Sequence, residues 1–189
     1  MILYKKLVID NYKQIQEKIY NYFVDTYNGA QQETVGFMTP DDIAKVAPEL
    51  TAFFKQNDMH PAYGAILIRT PHVVAPVHID NDLEILKPEL AINLPIANCD
   101  NTLMNWFNFP VAELEHINDR GNRYRSLPLN FDWNTLELLD SVELTDPHLL
   151  RIDVPHNVVN NKDSYRMILS IRFDPQPLHL WPEAMEIFH

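Results

Sequence analysis

The sequence predicts an α+β fold in which helices come first and a long antiparallel β region follows. Three observations carry that reading. Helical apolar spacing is confined to roughly the first third of the chain, β-branched and aromatic runs separated by Pro, Asn and Asp take over from Ala62, and no long amphipathic helix interrupts them. Helices gathered at one end of such a chain buttress a sheet or barrel instead of crossing over between parallel strands. One domain is expected over residues 1–189, with 1–60 mainly helical, 62–173 the β core and 174–189 a tail.

The elements follow in order. Asp10 is placed to cap a helix over residues 11–27, on which Ile15, Ile19, Tyr22 and Phe23 share a face, and Asn28-Gly29 ends it. Thr39-Pro40-Asp41-Asp42 is a second start signal, combining a cap, a first-turn proline and two acids at the positive end of the dipole. That helix runs to Gln56 with a break near Pro48, and Leu50, Phe53 and Phe54 cover what lies beneath. Strands are expected near 63–69, 73–80, 89–97, 102–109, 123–129, 149–155 and 165–173. On the last of these Met167, Leu169, Ile171 and Phe173 form an apolar face, with Arg166, Ile168, Ser170 and Arg172 opposite. On 89–97, Leu90, Ile92, Leu94 and Ile96 alternate with Ala91, Asn93 and Pro95, so Asn93 points inward among small residues. The tail, with Pro175, Pro177 and Pro182, is expected to wrap the surface.

Composition narrows the chemistry. The chain is 46% hydrophobic and 22% charged, ordinary for a folded globular protein. Its formal net charge of −11 has no compensating Lys/Arg run, which argues against nucleic acid or an anionic membrane as partner. Lys5 and Lys6 are not followed by an apolar run, so a cytoplasmic protein is expected. The lone Cys99 excludes an internal disulfide and any multi-cysteine metal site, leaving His and carboxylate as ligands. Four glycines provide no phosphate-cradling loop or dinucleotide fingerprint, and no Gly-x-Ser-x-Gly occurs.

One constellation remains. In Pro76-Val77-His78-Ile79-Asp80 an imidazole and a carboxylate sit two residues apart on an expected strand, so both point to the same face in chelating geometry. His156, in Ile152-Asp153-Val154-Pro155-His156, is a candidate third ligand, and Arg166 follows ten residues later. If the chain reverses within 160–163, hairpin pairing sets His156 opposite Arg166, placing a fixed cation where it can grip the far end of a metal-chelating dicarboxylate. Among the other histidines, His72 and His148 adjoin prolines and read as structural, as do His60, His116, His179 and His189. Trp106 reads as packing.

His78-x-Asp80, His156 and Arg166 resemble the pattern of Fe(II)/2-oxoglutarate-dependent oxygenases. The stretch Ile66 to His72 followed by Pro76 and His78, and Leu90-Ala91-Ile92-Asn93-Leu94-Pro95-Ile96, are similar to the aspartyl/asparaginyl β-hydroxylase-like branch. The resemblance implies a double-stranded β-helix (jelly-roll, cupin-like) core over 62–173. It further implies Fe(II) held by His78, Asp80 and His156, 2-oxoglutarate held by Arg166 and Asn93, and dioxygen as oxidant. In some relatives a second basic residue lies where Ala91 stands here. The implied outcome is hydroxylation of an amino-acid-like or protein side-chain substrate, with Asn105, Trp106 and Arg172 as substrate-pocket candidates and residues 110–147 including a variable loop. Arg172 could instead replace Arg166 or pair with an acid. The alternatives are a non-catalytic jelly-roll module and a cupin-type metalloenzyme that does not use the oxoacid.

Overall fold

The computed structural model describes residues 1–27, 34–80, 90–114, 116–117, 123–128, 130–173 and 181–187. Strands number in chain order β1 (Tyr4–Lys6), β2 (Thr34–Met38), β3 (Pro61–Arg69), β4 (Leu90–Ala97), β5 (Thr102–Asn108), β6 (His116–Ile117), β7 (Arg123–Tyr124), β8 (Glu137–Glu143), β9 (His148–Arg151), β10 (His156–Asn160) and β11 (Arg166–Phe173). Helices are α1 (Tyr12–Tyr27), α2 (Pro40–Val46), α3 (Pro48–Gln56) and α4 (Trp181–Ile187). A six-stranded antiparallel sheet runs β1-β9-β4-β11-β3-β2, and a smaller one runs β10-β5-β8.

The alternation in β11 explains how the layers assemble. Met167, Leu169, Ile171 and Phe173 join Leu90, Ile92, Leu94 and Ile96 of β4 in one core, against Ile15, Ile19 and Phe23 of α1 and Leu50 and Phe54 of α3. Burial of these side chains contributes about 1.5–3 kcal/mol each, so the helices are held to the large sheet by its apolar face. The opposite face of β11 turns toward the small sheet. A second cluster there, with Leu3, Ala91, Met104, Trp106, Leu150 and Ile152, joins the two sheets at one end.

Thr39 caps α2 in a reciprocal box with Asp42, and Pro48 starts α3, as the start and break signals require. Several expectations need correction. Asp10 is not the cap of α1: Asn11, at φ 56°, accepts from Gln14 and Ile15 through its carbonyl, so the cap falls one residue later. The turn at Asn28-Gly29 lies outside the described residues. Residues 73–80 are extended but make only isolated bridges, with Val74 to Val159 and His78 to both Ser126 and His156. Pro71 and Pro76 cannot donate to a continuous ladder. The strand expected over 149–155 ends at Arg151, and that over 123–129 is β7 followed by the bridge at Ser126. β1, β2 and β8 were not foreseen. The described part of the tail is a helix whose Trp181 and Ala184 are buried in the main core, not a surface wrap. No helix among the described residues is long and apolar enough to cross a membrane.

The expected 156/166 hairpin is also absent. β10 pairs with β5 in the small sheet, with His156 opposite Trp106, whereas β11 lies between β3 and β4 in the large one. The intervening residues cross from one sheet to the other. Buried Asn160 fastens that crossing by donating to the carbonyls of Thr70 at 2.8 Å and Ser164 at 3.0 Å and accepting from Lys162 N at 3.2 Å.

Candidate metal centre

His78 and His156 are brought together by backbone pairing. His78 N donates to His156 O at 2.9 Å and His156 N to His78 O at 2.8 Å, the doubly bonded antiparallel pair that sets both side chains on one face. Asp80, two residues on, returns to that face, and its N–H donates to Ile152 O at 3.0 Å. One potential ligand atom from each of the three lies within 4.8 Å of the others. The Asp80 Oδ1 is 3.1 Å from His78 Nε2 and 3.9 Å from His156 Nε2.

The tautomers follow from the carbonyls behind the rings. Nδ1 of His78 lies 2.8 Å from Pro76 O and Nδ1 of His156 lies 2.9 Å from Val154 O. A carbonyl only accepts, so each Nδ1 carries the proton and each Nε2 of a neutral ring presents a lone pair. Two such lone pairs then face a carboxylate oxygen. A cation among the three atoms removes that repulsion, either a metal ion or a proton on His78 Nε2 donated to Asp80 Oδ1 3.1 Å away, and two neutral imidazoles with one carboxylate are the donor set of non-haem iron centres with open positions.

In the metal-free site the electrostatics put that proton on His78 and leave His156 neutral. Burial opposes the Asp80 carboxylate, but the charge of Arg172 and the hydrogen bond from His78 outweigh it and hold its pKa well below the usual range. Burial and the nearby His78 push His156 down to about 4, so it is neutral at physiological pH. At His78 burial works downward, yet the hydrogen bond and charge of Asp80 prevail and the pKa is raised.

The remaining predicted residues divide into three groups. Arg166, Asn93 and Arg172 line the same cavity of about 540 Å³ as the triad, between the two sheets. Arg166 is 1% exposed; its side chain meets Cys99, and among the described residues its Nε and Nη2 have no hydrogen-bond partner. Asn93 and Arg172 are engaged: Arg172 donates to Asp80 Oδ2 and to Ser170 Oγ, both at 2.5 Å, and Ser170 donates to Asn93 Oδ1. Arg172 thus pairs with an acid, and that acid belongs to the triad. Trp106 takes the packing role the sequence reads for it, and neither it nor Asn105, the alternative pocket candidates, lines the described cavity. Trp106 is fully buried in the second cluster, stacked on Tyr4 and donating to Arg151 O at 2.9 Å, while buried Asn105 bonds Asn157 and Ser141. Ser170, Arg69 and Arg125 are cavity residues that sequence reasoning did not assign. Ser170 could have been found from its place on the polar face of β11; the other two depend on strand pairing.

No protein-family model matches the chain, and no curated protein matches it in sequence. Solved structures do match in fold. EvdO2 from Micromonospora carbonacea var. aurantiaca superposes with a TM-score of 0.56 at 12% identity, over 94% of this chain and 91% of that one. SnoK, a non-haem α-ketoglutarate-dependent carbocyclase from nogalamycin biosynthesis, gives 0.53 at 14% identity, over 90% and 79%. HygX from Streptomyces hygroscopicus, solved with nickel and 2-oxoglutarate bound, gives 0.52 at 15% identity, over 89% and 80%. The fold is the one these proteins share, and at these identities the likeness is one of fold.

Proposed function

We propose that the chain is a non-haem Fe(II)/2-oxoglutarate-dependent oxygenase built on a double-stranded β-helix. In this reading His78, Asp80 and His156 hold the iron, and Arg166 takes the distal carboxylate of the oxoacid. The reaction is hydroxylation of an amino-acid-like or protein side-chain substrate. The observation that carries the reading is Arg166. A buried guanidinium with two unmatched N–H groups costs several kcal/mol, and a carboxylate delivered beside the triad satisfies both in the fork geometry guanidinium prefers. A cupin-type metalloenzyme or a non-catalytic jelly roll leaves this arginine without employment.

When bound, iron and the oxoacid supply the oxidising chemistry: dioxygen is consumed, 2-oxoglutarate loses carbon dioxide to give succinate, and one oxygen atom enters a substrate C–H bond. The chain contributes alignment. The Pro76 and Val154 carbonyls fix the imidazole tautomers, the Asn93-Ser170-Arg172 relay orients Asp80, and Leu67 and Ile168, opposite one another in the β3/β11 register beside Arg166, keep that end of the cavity dry.

The test is anaerobic titration with Fe(II) and 2-oxoglutarate, following the metal-to-ligand charge-transfer band. The band should vanish in His156→Ala and weaken in Arg166→Ala. Wild-type protein that takes up neither metal nor oxoacid would return the chain to the non-catalytic module, and metal uptake without the oxoacid would favour the cupin-type enzyme.

A further inference from the structure

The cavity carries a cation that neither the metal nor the oxoacid uses. Its described lining holds four guanidiniums, Arg69, Arg125, Arg166 and Arg172, against one carboxylate, Asp80, in a chain of net charge −11. Arg172 is matched by Asp80, Arg166 by the oxoacid in the reading above, and Arg69 stands opposite Arg166 in the β3/β11 register. Arg125 is left. It is exposed, lines the cavity, and has no side-chain partner among the described residues.

Its backbone is nevertheless fixed against the metal-bearing segment. Ile79 N donates to Arg125 O at 3.0 Å, Leu127 N donates to Val77 O at 2.8 Å, and Ser126 between them bridges to His78. The guanidinium therefore springs from the residue next to the one paired with a metal ligand. Much of the remaining wall is apolar. Phe37 and Tyr63, an edge-to-face pair 6.0 Å apart and 59% and 39% exposed, form a partly open rim, and Ile79, Ile152 and Phe173 continue the surface. A pocket of this volume with apolar walls and one unclaimed fork donor has the makeup of a small-molecule site.

We propose that the substrate is a small organic carboxylate with an apolar body, its carboxylate gripped by Arg125 and its body laid along the Phe37/Tyr63 rim toward the metal. This assignment rests on the oxygenase reading and narrows its substrate to a free acid, as against a side chain presented by a folded protein.

The test is calorimetric titration of anaerobic protein loaded with Mn(II) and 2-oxoglutarate, using 3-phenylpropionate and octanoate, each beside its primary amide. The acids should bind about 10- to 100-fold tighter than the amides, the range of one charge-assisted pair. Arg125→Gln should remove that difference while leaving 2-oxoglutarate affinity within about twofold, and Arg125→Lys should restore part of it. Equal binding of acids and amides overturns the inference, as does binding of neither by protein that takes the oxoacid normally. So does an Arg125→Gln variant whose 2-oxoglutarate affinity falls in step with that for the acids. Protein that takes neither Mn(II) nor 2-oxoglutarate refutes the oxygenase reading instead. In that event acid binding by the metal-free chain that Arg125→Gln abolishes still sustains the anion site, and no acid binding overturns both.

Discussion

Replacing Arg166 with methionine should move stability and ligand affinity in opposite directions. The arginine is 1% exposed, its Nε and Nη2 lack partners among the described residues, and burial is the main cause pulling its pKa below the ordinary value. Methionine fills a similar volume without the uncompensated charge. Exchanging buried charge for apolar volume is worth up to about 1–4 kcal/mol of stability. In a chain of this length each kcal/mol shifts Tm by about 2–4 °C, so the ligand-free variant should melt roughly 2–16 °C higher. Affinity for 2-oxoglutarate should collapse. Two charge-assisted hydrogen bonds at about 1.5–3 kcal/mol each amount to a 100-fold loss or more. Thermal unfolding of the Mn(II)-loaded proteins with and without 2-oxoglutarate reads both effects. At 100 times Kd the wild type gains about 2.7 kcal/mol from ligand, and the variant should gain almost none. A variant less stable than wild type without ligand, with its 2-oxoglutarate shift intact, would show that Arg166 is structural and refute the reasoning.

Three further outcomes are expected. Metal binding needs His78 neutral, and its pKa is raised, so Mn(II) affinity should climb through and above the ordinary imidazole value. A flat response between about pH 6 and 9 contradicts this. The metal-free protein should lose stability on acidification. With His156 pushed down to about 4, the unfolded chain takes up a proton that the folded chain refuses from about pH 6.5 downward, a contribution on the order of 3 kcal/mol, complete near pH 4 and absent above the window. His78 works with the opposite sign, so urea denaturation of His156→Gln should show a smaller acid loss than wild type; an equal loss counts against the buried neutral imidazole. Finally, Asn160→Ala orphans the Thr70 and Ser164 carbonyls at the crossing between sheets and should cost about 2–4 kcal/mol. A loss under about 1 kcal/mol in the same assay would show that the crossing does not depend on it.

Local rules read the elements that alternate strongly and missed those that do not. β11 and β4 are buried on both faces but send every second residue, all apolar, into the main core, so their extent and orientation were legible residue by residue. β8 reads Glu-Leu-Leu-Asp-Ser-Val-Glu and is mostly exposed, so it has no buried face to impose a period. β1 is three residues long and is defined by its partner β9. Spacing alone puts His78 and Asp80 on one face, and the structure brings a potential ligand atom of His156 within 4.8 Å of theirs. The route by which His156 and Arg166 join them was misjudged, since a hairpin and a crossing between sheets use the same few polar residues and differ only in which strands await on either side. Trp106 reads as packing in the sequence, and it takes that place in the second cluster, on the strand β5 that pairs with β10.

The division of the Asp80 carboxylate has a consequence for ion choice. One oxygen is turned to the imidazoles and the other is held by Arg172 at 2.5 Å. A residue so tethered offers a single donor atom, whereas calcium favours crowded shells of oxygen, often with both atoms of one carboxylate. The tether therefore acts as a filter that disfavours the abundant hard alkaline-earth ion and leaves the nitrogen-preferring first-row metals as competitors for the centre.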